Sequence, residues 1–142
     1  MAEILRQATA VAIDGRAVLI EGPPGCGKTG LAIQLIDRGG VLIGDDGVAL
    51  SDRGGVLLAS PPSATRGLIE MRNVAIVSLP ACAAPVALVL TITDTAPRFI
   101  EQAQMIRILG HQIARIDFTL TGVADPVRAE FALRQYGAAP AR

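Results

Sequence analysis

Apolar residues along the chain come in short runs separated by glycine and proline. Thr9 to Ile13 and Ala17 to Glu21 flank Asp14-Gly15, a dipeptide that favours a tight hairpin turn. The second run leads into Gly22-Pro23-Pro24-Gly25-Cys26-Gly27. Leu31, Ala32, Leu35 and Ile36 then recur at helical spacing until Arg38-Gly39-Gly40 stops the helix. Val41-Leu42-Ile43 predicts a short buried strand ending at Gly44-Asp45-Asp46, and Val48 to Leu50 with Val56 to Ala59 predict a hairpin around Asp52-Arg53-Gly54-Gly55. Pro61-Pro62 breaks the pattern. Leu68 to Val77 supplies one or two strands around Arg72-Asn73, and Val86 to Thr93 is the longest strand-like run. Arg98 to Arg107 reads as helix or loop and Gln112 to Thr121 as a strand. Asp125-Pro126 reads as the cap and first residue of a terminal helix over 126 to 136.

Strands with a helix after the glycine loop and another near the C-terminus read as an α/β domain. With 142 residues, 51% of them hydrophobic, the chain holds one sizeable core and no second one. Neither an internal repeat nor a linker divides it, so 1–142 reads as a single domain whose Ala/Pro tail, 137–142, is expected to fray. Thirteen basic and thirteen acidic residues cancel, which leaves no electrostatic footprint for nucleic acid or an anionic membrane. Three Phe, one Tyr and no Trp leave the core to aliphatic packing and give no stacking platform for single strands. Cys26 and Cys82 are the only cysteines and His111 the only histidine, so neither a disulfide framework nor a zinc site is expected. No apolar run approaches the roughly 20 residues of a membrane span, and no signal segment opens the chain; the cytoplasm is the expected location.

Gly22-Pro23-Pro24-Gly25-Cys26-Gly27-Lys28-Thr29 has the Walker A spacing and lies between a predicted strand and a predicted helix. Glycines let backbone N–H groups converge on phosphates, and the exposed amides of the following helix favour the same negative charge. Lys28 adds a cation for the β- and γ-phosphates of ATP, and the Thr29 hydroxyl is a magnesium ligand. The competing interpretation is a glycine-rich turn with a surface lysine, which explains neither the flanking strand nor the helix. Cys26, lying among these amides, is either a redox-sensitive thiol or a small residue that fits the loop.

A phosphate loop needs an acidic element near the metal, and two are present. Asp94 ends the run from Val86 to Thr93, as in an ordinary Walker B strand. Asp45-Asp46 ends the strand entered directly from the loop's helix. In Leu68-Ile69-Glu70-Met71-Arg72, alternation puts Glu70 and Arg72 on one strand face, which is either a solvated ion pair or part of a site.

Taken together, Lys28-Thr29, Asp45-Asp46 and Leu68-Ile69-Glu70-Met71-Arg72, in that order, resemble the HPr serine kinase/phosphorylase family, in a short form limited to the catalytic domain. The resemblance runs from about Gln7 to Val127. It implies a P-loop nucleotide-binding fold of the HPr kinase/PEP carboxykinase-like type with a mixed β-sheet. It further implies an ATP- and Mg-dependent serine kinase, with phosphorylase as the reverse reaction, acting on an HPr-like phosphocarrier of the phosphotransferase system. By this resemblance Lys28 holds the nucleotide phosphates, Thr29, Glu70 and Asp46 serve the magnesium, and Asp45 accepts the proton of the substrate serine. Arg98 matches the downstream catalytic arginine, and the assembly is a homo-oligomer, a hexamer. Gln7 stands where the family carries a catalytic histidine, Pro24 where its loop has serine, and Asn73 where a glycine follows Glu-x-Arg. Of the C-terminal signature for phosphorylase activity only Asp125-Pro126-Val127-Arg128 is present. Two other functions stay open: a P-loop ATPase or small-molecule kinase using Asp94, and a nucleotide-sensing regulator that has lost its chemistry.

Overall fold

The computed structural model describes residues 3–140. Strand β1 (Glu3–Arg6) precedes the hairpin of β2 (Thr9–Ile13) and β3 (Arg16–Glu21), which turns at Asp14-Gly15 as expected. Helix α1 (Lys28–Asp37) follows the glycine loop directly, and β4 (Val41–Gly44) brings the chain back. Strands β5 (Val48–Arg53) and β6 (Val56–Ser60) form the second hairpin, with Asp52 and Arg53 still paired to Leu57 and Val56, so only Gly54-Gly55 turns. A 3-10 turn at Ser63–Thr65 leads into a separate two-stranded sheet of β7 (Leu68–Met71) and β8 (Ala75–Ser78). Strands β9 (Ala84–Ile92), β10 (Gln104–Ile108) and β11 (His111–Phe118) and helix α2 (Asp125–Tyr136) complete the chain.

The main sheet is mixed and has β9 at its centre. One edge of β9 pairs in parallel with β3; the other pairs with β6 through Ala84 and Pro85 and then, in parallel, with β11 from Leu88 onward. β2 joins β3 and β4 antiparallel, while β5 links β6 to β1. Strands buried on both faces need near-continuous apolar sequence, which β3 and β9 have. Val18, Ile20, Leu88 and Leu90 pack under the helices with Leu31, Leu35 and Leu133. On the opposite face Leu19, Val86 and Val89 meet Leu50, Leu57 and Ile43. The central strands are thus covered on both sides, which fixes the end of β3 where the glycine loop begins.

Several elements depart from the pattern reading. Arg98 to Arg107, read as helix or loop, is irregular as far as Ala103 and then becomes β10, antiparallel to β11. Gln104, Met105 and Arg107 are exposed on this edge strand, which hides its alternation. Its turn uses Leu109 at φ 48, a conformation no propensity argument assigns to leucine. β1 went unread for the same reason: an edge strand leaves Leu5 75% exposed. β7 stops at Met71, so Arg72 lies in the turn and not on the strand face shared with Glu70. In the 137–142 segment, read as frayed, the Ala138 N–H donates to the Ala87 carbonyl at 3.0 Å, while residues 141 and 142 lie outside the described residues.

Asp125 does not cap α2, whose cap is Ala124. Its carboxylate reaches back to the preceding loop, accepting the N–H (2.8 Å) and hydroxyl (3.1 Å) of Thr121, the Gly122 N–H (3.0 Å) and the Arg128 guanidinium (3.0 Å). Burial alone raises this carboxyl's pKa, but the donors outweigh burial and hold it below its ordinary value. A pKa depressed by folding stabilises the native state above the unfolded value of about 3.9, and that stabilisation is lost as pH falls through the folded value. Asp125→Asn is therefore expected to cost about 1–3 kcal/mol at pH 7, with the gap to wild type narrowing below about pH 4. Thermal unfolding followed by circular dichroism at the two pH values checks this; an undiminished gap in acid argues against it.

Candidate active site

From Glu21 the chain turns through Gly22–Gly27 into α1. Gly27 is the helix cap at φ 106, where any side chain is strained. No side chain caps α1 and no acid sits in its first turn, so its leading N–H groups keep their capacity for an anion. Lys28 is only 8% exposed. Its Nζ donates to the Gly22 carbonyl at 2.7 Å and to the Pro23 carbonyl at 3.4 Å, which holds the ammonium over the loop.

The acidic pair is brought in by the sheet. β4 runs antiparallel to β2 with Gly44 opposite Ala10, so the residues after β4 emerge beside Thr9. A Cβ on Gly44 would collide with the Gly47 carbonyl, so this tight turn needs glycine there. Both hydroxyl contacts of Asp45 fall on Oδ1: Thr29 donates at 2.8 Å and Thr9 at 3.3 Å. The Thr9 oxygen also accepts the Asp46 N–H at 3.2 Å, and Asp46 sits at φ 60. The β7–β8 hairpin supplies the remaining wall. Ile69 is buried on its inner face, so Glu70 projects from the outer one, opposite Ile76.

Lys28, Thr29, Asp45, Asp46, Glu70 and Gln7 all line one cleft of about 540 Å³, together with Pro24, Gly25, Gly27 and Arg72. Three carboxylates and a hydroxyl next to a lysine and free helix amides make a site for a polyanion with a hard cation. Gly22 and Pro23 contribute carbonyls to Lys28, while the half-buried Cys26 packs toward the helix-side core. Arg98 is not part of this group; it lines a second cavity of about 450 Å³ with Phe99 and Arg128. Asp94 is exposed after β9 and does not line the cleft either. His111 pairs with Asp52 at 3.1 Å on another part of the surface.

Two features escaped the sequence reading. Thr9 is fully buried, and strand alternation reveals only its face, not its partner. Arg6 forms an ion pair with Glu21, the residue before the loop, which neutralises a carboxylate at the loop's entrance. Neither has a local sequence signal, because β1 and β4 reach their partners only through the sheet.

The donor set fits magnesium in one particular way. Among the described residues no three acidic, histidine or cysteine side chains are clustered closely enough to cage an ion unaided. Magnesium characteristically takes one or two carboxylates and completes its shell with water and substrate phosphates, and the oxygen groups of Thr29, Asp46 and Glu70 suit that arrangement.

A glycine loop leading from a central strand of a mixed sheet into a helix, with an acidic pair from the next strand but one lining the same cleft as its lysine, places the chain among mixed-sheet α/β domains. The family model of the HPr Serine kinase C-terminal domain matches residues 2–83, more than half of the chain, and the chain belongs to that family. Among curated proteins, HPr kinase/phosphorylase of Clostridium tetani is 38% identical over 70 residues, covering 49% of this chain and 23% of that protein. The protein of the same name from Clostridium acetobutylicum is 39% identical over 71 residues, covering 50% and 23%. The chain thus aligns with under a quarter of these relatives' length. The Hpr(Ser) kinase/phosphatase structure from Coxiella burnetii superposes with a TM-score of 0.83 at 27% identity, over 92% of this chain and 88% of that one. The mixed-sheet fold that the resemblance implies is the one observed.

Proposed function

We propose that the chain is an ATP- and magnesium-dependent serine kinase whose substrate is an HPr-like phosphocarrier protein. The observation that carries this reading is the convergence of Lys28, Thr29, Asp45, Asp46 and Glu70 on one cleft. The names of its relatives support the choice of acceptor. Asp94, exposed outside the cleft, gives no support to an ordinary Walker B arrangement.

In this mechanism the loop amides and Lys28 hold the triphosphate, and Thr29, Asp46 and Glu70 hold the magnesium ion, whose chemistry is to neutralise charge on the phosphates. Asp45 accepts the serine proton as the serine oxygen bonds to the γ-phosphorus and the bond to ADP breaks. With Oδ1 held by two hydroxyls, Oδ2 is the oxygen available for that proton. Because phosphoryl transfer has a loose transition state, alignment matters more than base strength. Gln7, lining the cleft, supplies a hydrogen-bonding amide that does not titrate. Arg98 contributes in this scheme only by reaching across from its own cavity. The reverse phosphorolysis, a cytoplasmic location and a hexameric assembly belong to the same reading. Among the described residues, no helix is long and apolar enough to cross a membrane.

Incubating the purified chain with radiolabelled ATP, magnesium and HPr-like carriers is expected to yield phosphoserine on the carrier. Nucleotide binding with no labelled carrier would instead favour a regulator without chemistry.

A further inference from the structure

We propose that Thr9 is a positioning residue for phosphoryl transfer, acting through the acidic pair; this rests on the reading of Asp45 as proton acceptor. Thr9 is 0% exposed and does not line the cleft. A hydroxyl has one proton to give and lone pairs to receive. Here the proton goes to Asp45 Oδ1 and a lone pair takes the Asp46 N–H, so a single buried atom ties both acids to β2.

The Thr29 hydroxyl lies closer to Asp45, at 2.8 Å, but Thr29 lines the cleft and its oxygen is open to a cation brought in with the nucleotide. Thr9 is not open in that way and keeps its contacts whatever Thr29 does. It also answers a backbone problem. Asp46 is held at φ 60, a conformation that carries a penalty for a residue with a Cβ and persists only where its surroundings impose it. The amide that Thr9 binds belongs to that residue.

Thr9→Val keeps the branched shape and removes the hydroxyl, whereas Thr9→Ser keeps the hydroxyl and removes the methyl. In the nucleotide-free chain, hydrogen exchange at the Asp46 amide is expected to accelerate in Thr9→Val and stay at the wild-type rate in Thr9→Ser. In the transfer assay Thr9→Val is expected to lose about tenfold in kcat, with KM for ATP within about twofold of wild type, and Thr9→Ser to restore kcat. Should Thr9→Val fold poorly, Thr9→Ala measured below its unfolding midpoint carries the same expectation. Wild-type kcat in the hydroxyl-free variants overturns the proposal, as does a Ser variant that folds and protects its amide yet stays slow. Asp45→Asn run alongside separates the two layers: full activity there removes the reading of Asp45 itself, while loss there with an active Thr9→Val removes only the role of Thr9.

Discussion

Asp45→Asn is expected to lower carrier phosphorylation by on the order of 10²-fold or more while leaving MgATP binding largely intact. The substitution preserves size and the means to accept from both hydroxyls. Thr29 and Thr9 donate to Oδ1, so the asparagine oxygen settles there and its NH₂ takes the position of Oδ2. The group facing the acceptor serine then donates a hydrogen bond where the reaction needs a proton taken up. Asp94→Asn, made in parallel, is expected to stay within about twofold of wild type, because Asp94 does not line the cleft. Transfer of label to the carrier under single-turnover conditions separates chemistry from binding. The reverse outcome, an active Asp45 variant beside an inactive Asp94 variant, would make the chain an ordinary P-loop ATPase.

Why one acid and not the other shares a cleft with Lys28 is a question the linear chain answers poorly. The glycine loop is legible because its parts are consecutive: strand, loop and helix are all set by residues 17 to 36. Asp45 lies sixteen positions from Thr29, and their 2.8 Å contact exists only because β4 folds back antiparallel onto β2. The apolar run Val41-Leu42-Ile43 predicts a strand but not its neighbour. The resemblance to a family assigned both residues to one site, which local physics does not. Arg98, assigned by the same resemblance, lies in an irregular segment after β9 and lines a different cavity beside Phe99. Arg72 shows the opposite case: its strand assignment failed, yet the turn still delivers it to the cleft. Hydrophobic pattern specifies which face is buried, whereas sheet order and edge-strand position come from long-range pairing. The cleft is built mainly from the second kind of information.

Lys28→Met carries the other large expectation, with MgATP affinity lower by about 10–100-fold and turnover by about 10²–10³-fold. The wild-type side chain is buried and its ammonium donates to the Gly22 and Pro23 carbonyls. Held there, it has already lost much of its hydration and conformational freedom before nucleotide arrives, so moving it onto phosphates requires little new ordering. Methionine fills the same channel with an unbranched apolar chain but offers no cation, so packing is retained while charge-assisted bonds are lost. Thermal unfolding midpoints within a few degrees of each other would exclude collapse of the loop as the cause. Lys28→Arg is not a rescue in this geometry, because a planar guanidinium cannot occupy the point position of an ammonium between two loop carbonyls. If Lys28→Met binds MgATP and phosphorylates as wild type does, the loop at 22–29 is a structural turn and not a phosphate cradle. The acids facing it would then need another purpose.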